Sequence, residues 1–580
     1  MFRKNDQRQQ SLFGPEMLLS PGLLERLRGS WAQSFRTEVF ERIDETLFEA
    51  LYSEKDSRPN APVNVLVGFE IIKAGEGWSD ETLYEALSFD MRLRYALGIE
   101  DLGGELPFTL RTLYNFRGRV REYAQKTGVN LYVKVFEQVT DEQLAKYKVS
   151  TKDQRIDSTQ VLSNIAQMTR LELMISVLQA GMKGLEEGER EAWAEKAQGY
   201  IEKRPHEIVF GISKGEVEAH FQRLGTLLVA LREALASEGE AYALVMRVLR
   251  EQYQEEDGEL RLRPAEEISA DSLQSPHDVE ATYREKNGER YRGGYVMQVS
   301  ETCAPENDIQ LITDVRVAPN VTDDGKLLQE SITSQEARGI EVENAYIDGA
   351  YTGPEVSAFC EAHGVTLHPS NIRGGKTPAG QWGWDAYDWR VATREVICPL
   401  GQVGRLEPAR TEARWVVRFP DTEQCRTCPL LSKCRVTIGK RRGAGMNVTT
   451  RNIEVARLRQ RITSEARALR SPVESTVRSM KWNLRKDKLP VRGLIAATMY
   501  FSAVAMMVNL RRIHASLQKN TDKNDDPDAL LRFIFWLIAL LKPLRTPSGR
   551  SGALSADRKN YAFIFPSNVS LRSFSAQGAA

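Results

Sequence analysis

Cysteine and histidine are scarce in this sequence, with six of each in 580 residues. Six thiols over such a length make a poor disulfide framework. The six histidines are scattered, and none stands at a spacing that suggests a ligand pair or a nucleophile's base. Net charge is also missing, because 79 Lys and Arg balance 79 Asp and Glu. No apolar run reaches the roughly 20 residues of a bilayer span; the longest, Leu494 to Val508 and Phe533 to Leu541, fall short. The opening Met1-Phe2-Arg3-Lys4-Asn5-Asp6 has no apolar signal core behind it, so a cytoplasmic protein with no membrane partner is expected. With 23 Pro and 41 Gly the composition excludes a collagen-like or wholly disordered chain. There is no internal repeat.

What is present is a chain long enough for several folding units, since one domain usually takes about 100 to 200 residues. Its charge is polarised. Residues 431–520 hold 20 Lys or Arg against four Asp or Glu, whereas residues 171–280 hold 12 against 23. Such asymmetry suits a polyanion-binding face in one region and an acidic outer element in another.

Residues 1–140 read as a helical domain. Ser79-Asp80-Glu81 opens a helix that Gly98 closes, and a second helix runs from Thr109 to Lys126 with Arg117 and Arg119 among its cations. A basic amphipathic helix after a short turn resembles a helix-turn-helix, which makes Arg117 and Arg119 candidate DNA contacts. Residues 150–375 read as an α/β core with a mixed sheet. A strand at 155–162 is followed by an acidic helical insertion at 170–270. Next comes a hairpin, 281–286 and 289–299, whose Asn287-Gly288 turn supplies two positive-φ positions. A strand at 309–317, a helix at 325–337 and a strand at 342–347 complete the series. Residues 376–450 form a small β-rich insert, 451–517 return to basic helix, and 518–580 read as a linker and tail.

Three acids stand out. Asp157 lies in a strand, where an unpaired carboxylate is costly to bury; Asp348 follows an apolar strand; Glu474 lies in a helix. Converging from two strands and a facing helix, they would offer an oxygen-rich site for Mg²⁺ or Mn²⁺. A pair of such ions supports in-line displacement at phosphorus. Each acid has a plainer reading: Asp157-Ser158-Thr159 as a turn or cap, Asp348-Gly349 as a turn, and Ser471-Pro472-Val473-Glu474 as a capping box. On a continuous helix Arg470, Glu474, Arg478 and Lys481 share one stripe, beside an apolar stripe of Leu469, Val473, Val477 and Met480. In the insert, Cys398, Cys425, Cys428 and Cys434 supply four thiolates with one Cys-x-x-Cys, a set suited to structural Zn²⁺. Small buried residues or a redox pair are the alternatives.

The run Arg470, Glu474, Lys481 resembles the Tyr-Arg-Glu-Lys signature of DDE transposases of bacterial insertion sequences, the IS-four-like group of the RNase H-like, retroviral-integrase superfamily. Asp157 in Arg155-Ile156-Asp157-Ser158-Thr159 and Asp348 in Ile347-Asp348-Gly349-Ala350-Tyr351 look like its first two acids. The signature Tyr would fall at Arg467, so a role for it does not carry over. The resemblance covers about residues 60 to 515. It implies an RNase H-like fold, with Asp157, Asp348 and Glu474 as metal ligands and with Arg470, Lys481 and Arg478 on DNA phosphates. It further implies cleavage of double-stranded DNA at an element's terminal inverted repeats, joining of the 3′-hydroxyls to target DNA, and a homo-oligomer on DNA. A catalytically inactive DNA-binding derivative and a hydrolytic nuclease of the same fold are the alternatives. Some relatives stack a Trp of the insert on an extruded base; here the choice among Trp382, Trp384, Trp389 and Trp415 stays open.

Overall fold

The computed structural model describes residues 1–5, 18–55, 59–99, 104–256, 259–286, 288–372, 380–409, 413–439 and 443–524, with the side chains of 255, 256, 259 and 520–524 excepted. Most of the expected linker and tail, residues 525–580, lies outside them.

Helices α1 (Val63–Glu76), α2 (Asp80–Phe89) and α3 (Leu110–Thr127) dominate the N-terminal region. Ser79 and Thr109 cap α2 and α3 with their hydroxyls. The single helix expected from Ser79 to Gly98 is broken at Asp90, whose carboxylate accepts from the Arg92 N–H and starts a new helix, Met91–Ala96. These helices do not enclose a core of their own. Phe35, Phe48, Phe69, Leu113 and Phe136 share one apolar cluster with Phe501, Val504 and Met507 from the C-terminal helix and with Tyr295, Met297 and Val299 from a strand.

The central sheet contains β1 (Asp153–Leu162), whose continuation is interrupted by an insertion of five helices between 170 and 252 and a hairpin, β2 (Tyr253–Glu256) and β3 (Glu259–Leu262). The insertion has its own core of Met174, Leu178, Trp193, Leu224, Leu228 and Val248. The chain then returns as β4 (Thr282–Lys286), β5 (Glu289–Thr302) and β6 (Ile312–Pro319). β5 is antiparallel to β1 on one side. On the other side it pairs with β4 through its first half and with β6 through its second. Gly293 (φ +72°) and Gly294 mark the changeover, and a Cβ on Gly294 would sit 2.4 Å from the Val161 carbonyl oxygen. After α4 (Asp324–Ala337) comes β7 (Asn344–Ile347), parallel to β1, then α5 (Pro354–Ala362) and β8 (Thr366–Pro369), parallel to β7. The order across the sheet is therefore β6-β5-β1-β7-β8, with the first three antiparallel and the last two parallel to β1.

Helix α4 and the apolar residues of α5 cover one face of this sheet, around Leu328, Ile332, Ala345 and Ile347. The insert is a six-stranded antiparallel sheet of β9 (Asp388–Arg390), β10 (Glu395–Ile397), β11 (Val403–Pro408), β12 (Arg414–Phe419), β13 (Thr437–Gly439) and β14 (Gly443–Thr449), in the order β13-β14-β12-β11-β10-β9 over Trp389, Val396, Leu406, Val417 and Met446. From it the chain leaves along α6 (Thr450–Gln460), α7 (Ser464–Arg470), α8 (Val473–Lys481) and α9 (Leu494–Asn524). The segment Leu494–Lys519 is long and apolar enough to cross a bilayer, beyond the shorter run read from the sequence. Here it is a core helix, with Ala497, Phe501, Ala505, Asn509 and Ile513 all buried.

Candidate active site

Side chains alternate along β1, so Arg155, Asp157, Thr159 and Val161 share one face. In the parallel pairing with β7, Arg155 stands opposite Tyr346. The pairing ends there; continued by two residues, the same register would set Asp157 beside Asp348, the residue that immediately follows β7, and Asp348 acts electrostatically on Asp157. Asp348 caps a short 3₁₀ turn, Gly349–Tyr351, and its carboxylate accepts from the Gly349 N–H at 2.7 Å. Gly349 is required by close approach, because a Cβ there would lie 2.4 Å from the Asn371 carbonyl oxygen.

Helix α8 packs across this face of β1. Ser471 and Pro472 both keep right-handed helical dihedrals, so α7 runs into α8 almost without a break. The capping-box alternative is not what the chain adopts: Pro472 occupies the cap position, no side chain caps α8, and Ser471 enters the turn through its carbonyl. Glu474 faces outward with its side chain 72% exposed, and Arg470, 12% exposed, bridges the acids. Its Nη2 is 3.1 Å from Asp157 Oδ2 and its Nη1 is 3.8 Å from Glu474 Oε1. Buried Val473 and Met480 hold the inner face, as the apolar stripe required, together with Thr476, which the stripe did not include.

Burial drives the Asp157 carboxyl above its ordinary range. Arg470 and the Ser158 N–H oppose the shift, Asp348 reinforces it, and Lys286 on the β4–β5 hairpin opposes it. Arg470 is the ion-pair partner of Asp157, and burial outweighs its effect on the carboxyl. Lys481 ends α8 with its ammonium turned onto the sheet, 3.1 Å from Thr159 Oγ1, 3.2 Å from the Gln160 carbonyl and 2.9 Å from Asp487. Arg478 is exposed. Arg467, in the place of the signature Tyr, donates to the Ser370 carbonyl.

The N-terminal candidates lie elsewhere. Arg117 turns inward, with Nε 2.5 Å from Glu70 Oε1 and Nη1 2.7 Å from Asp80 Oδ2, so its guanidinium is committed within the helical layer. Arg119 is exposed and stacks over Tyr52 at 5.3 Å.

In the insert, Cys398, Cys425, Cys428 and Cys434 all line one small cavity of about 40 Å³, and all four are free thiols. Tyr387 Oη is 3.1 Å from Cys434 Sγ, and Cys425 Sγ lies 3.0 Å from Gln402 Oε1. Burial, then the neighbouring Cys398, Cys434 and Cys428, pushes the Cys425 thiol up to about 11. Among the described residues, no three His, Cys, Asp or Glu side chains are drawn together as a ready-made metal group, at the acids or at the thiols. Of the insert's tryptophans, Trp389 is buried and Trp384 is half-buried beneath the Arg435 guanidinium at 4.3 Å.

Sequence reasoning missed Ser158, whose hydroxyl donates to Asp324 at 2.8 Å, and Glu301, a wholly buried acid on β5. Glu301 lies two residues beyond the expected strand at 289–299, between Ser300 and Thr302, so no local signal marked it.

Two family models match this chain: "Transposase DDE domain" over residues 397–514, and "Transposase domain (DUF772)" over residues 28–119. Both models describe transposases, and together they support a DDE transposase of insertion sequences. Comparison with curated proteins and with solved structures finds no match. The first stretch holds the four insert cysteines, Arg470, Glu474 and Lys481, and the second covers α1, α2 and most of α3. Asp157 and Asp348 fall outside both.

Proposed function

We propose that this transposase cleaves DNA at the ends of an insertion sequence and joins them to target DNA, using Asp157, Asp348 and Glu474 in an RNase H-like core. The observation that carries the reading is the ion-pair chain in which Arg470 links Asp157 to Glu474, supported by the electrostatic effect of Asp348 on Asp157 beyond the end of the parallel β1–β7 pairing. The strand order β6-β5-β1-β7-β8 agrees with an RNase H-like sheet.

The donor set fits a hard divalent cation: carboxylate oxygens only, with the Asp157 carboxyl raised by burial and by Asp348 in a way that a cation would relieve. Asp157, Asp348 and Glu474 would hold Mg²⁺ or Mn²⁺, which when bound activates a water or 3′-hydroxyl and stabilises the leaving oxygen. Arg470 orients Asp157 and presents positive charge beside the site, and exposed Arg478 offers a contact to the DNA backbone. The basic segment around α6 to α8 supports double-stranded DNA as partner, both element ends and target, handled by a homo-oligomer. The thiols of Cys398, Cys425, Cys428 and Cys434 are the donor type that structural Zn²⁺ takes, and all four line one cavity without being drawn into a ligand cluster. Metal content of the purified chain tests that assignment: about one Zn per chain is expected, and it should be lost in Cys425→Ser.

The main test incubates the protein with duplex DNA carrying the segments that flank its own coding sequence, then supplies pre-cut ends and an intact plasmid. Mn²⁺- or Mg²⁺-dependent cleavage and joined products are expected, and both should vanish in Glu474→Gln while DNA binding remains. Cleavage without joining marks a hydrolytic nuclease, and binding without either marks an inactive derivative.

A further inference from the structure

Glu301 is a carboxylate with no exposure at all, and the chemistry above does not use it. It lies on β5 directly opposite Arg155, two pairs along from the Val299–Asp157 pair, and so on the same face of the sheet as Asp157. Burying a charge this deeply is costly unless every oxygen is satisfied. Three elements supply the partners. Arg155 of β1 donates through Nε at 2.6 Å. Arg512 of α9 donates through Nη1 at 2.6 Å. The Thr476 hydroxyl of α8 lies 2.8 Å from both carboxylate oxygens. The cluster is also tied to itself and to its surroundings, since Arg512 Nη2 reaches Thr476 Oγ1 at 2.5 Å and Arg155 Nη1 donates to the Leu469 carbonyl at 3.2 Å.

Both helices of the acid-bearing pair are therefore tied to one carboxylate near their junction: α7 through the Leu469 carbonyl and Arg155, and α8 through Thr476, two residues beyond Glu474. Two residues on a helix are about 200° apart. With Thr476 pointing onto the sheet face that carries Glu301 and Asp157, Glu474 must point outward, where Arg470 links it to Asp157. The apolar contacts of Val473 and Met480 are non-directional and would tolerate a rotation or slide of α8. A hydroxyl held between a carboxylate and a guanidinium would not. Stability alone does not account for the cluster, because apolar residues of similar volume often serve as well as a buried ion pair.

We propose that Glu301, acting through Thr476 and Arg155, is a positioning residue that sets the rotation of α8, and so the placement of Arg470 and Glu474 relative to Asp157 and Asp348. This rests on the proposed role of the three acids. The test uses Thr476→Val, which keeps the shape and leaves Glu301 its two arginines, with Thr476→Ser, which keeps the hydroxyl. Mn²⁺ binding to the protein without DNA is measured by calorimetry, and metal-dependent cleavage of the flanking-segment DNA is measured alongside, with kcat and the half-saturating Mn²⁺ concentration fitted separately.

In Thr476→Val the half-saturating Mn²⁺ concentration should rise, or kcat fall, by at least tenfold, with calorimetric Mn²⁺ affinity weakened to match and DNA affinity unchanged. Thr476→Ser should recover most of both. A Thr476→Val protein with wild-type Mn²⁺ affinity and kcat overturns the inference alone, and so does one whose only change is a lower melting temperature. A wild-type chain that neither binds Mn²⁺ nor cleaves DNA overturns the proposed function and this inference with it.

Discussion

Replacing Arg117 with Gln should loosen the N-terminal helical layer and leave DNA binding alone, the reverse of what a basic amphipathic helix suggests. The side chain sits between Glu70 and Asp80, and Lys73 approaches Asp80 at 2.7 Å. Burial would raise the Asp80 carboxyl, but hydrogen bonds from Arg117 and Lys73 reverse this and hold it down to about 2, against 3.8 unperturbed. With the carboxylate only 16% exposed, that depression corresponds to about 2 kcal/mol of stabilisation at neutral pH. The contribution is fully present above pH 4 and is lost as pH falls toward 2. Removing Arg117 also leaves Glu70 without the cation that holds it, while Lys73 stays on Asp80. The net cost should be about 3 kcal/mol, within the range for breaking a partly buried pair.

Hydrogen exchange with peptide-level resolution reads this directly. Protection of α1, α2 and α3 should fall roughly 100-fold at pH 7 in Arg117→Gln. The difference in melting temperature between variant and wild type should shrink between pH 4 and pH 2. The affinity for duplex DNA and its salt dependence should be unchanged. Unaltered exchange together with a DNA-binding salt slope reduced by about one unit would refute the structural assignment and restore Arg117 as a phosphate contact.

Asp157→Asn removes a carboxylate whose charged form the fold disfavours, a penalty that grows as pH rises through its elevated titration range. Without divalent ions the variant should melt no lower than wild type at pH 7. Mn²⁺ at 100 times its dissociation constant should stabilise wild type by about 2.7 kcal/mol and the variant by much less, as scanning calorimetry can show. Gly349→Ala forces a Cβ to 2.4 Å from the Asn371 carbonyl oxygen. Overpacking of this kind costs about 1 to 3 kcal/mol, and the displaced Asp348 should lower metal-dependent cleavage at least tenfold; wild-type cleavage would show that the turn tolerates the shift. Arg478→Gln, on the exposed face of α8, should weaken DNA binding evenly across sequences and reduce the salt slope by about 0.9, measured by fluorescence anisotropy at several salt concentrations.

Local chemistry made much of the fold legible. The Asn-Gly turn announced the β4–β5 hairpin, Ser79 and Thr109 announced their helices, and the Gly325–Ala337 and Val342–Ile347 segments emerged as α4 and β7 within two residues. Long-range pairing was not legible. The periodicity of α3 shows which residues lie on one side of the helix. It does not show that Glu70 and Asp80, 47 and 37 residues away, meet Arg117 there. The N-terminal helices looked like a domain because their sequence is self-consistently helical. Their core is completed by Phe501, Val504 and Met507, more than 350 residues downstream, and no local signal links the two.

The acids divide along the same line. Asp157 and Asp348 were readable because each ends or interrupts an apolar strand, and two parallel strands of one sheet have few ways to align: a one-residue slip would turn every buried side chain outward. Glu474 was ambiguous, since Ser471-x-x-Glu474 fits a capping box in isolation. What decides between the two conformations is whether Ser471 stays helical, and that depends on α7 and α8 being held as one rod against β1. The holding group is Thr476 on Glu301, 175 residues apart in sequence. A carboxylate flanked by cations thus reads the same in a cap as in a site, and the difference lies in a buried partner that the segment itself does not contain.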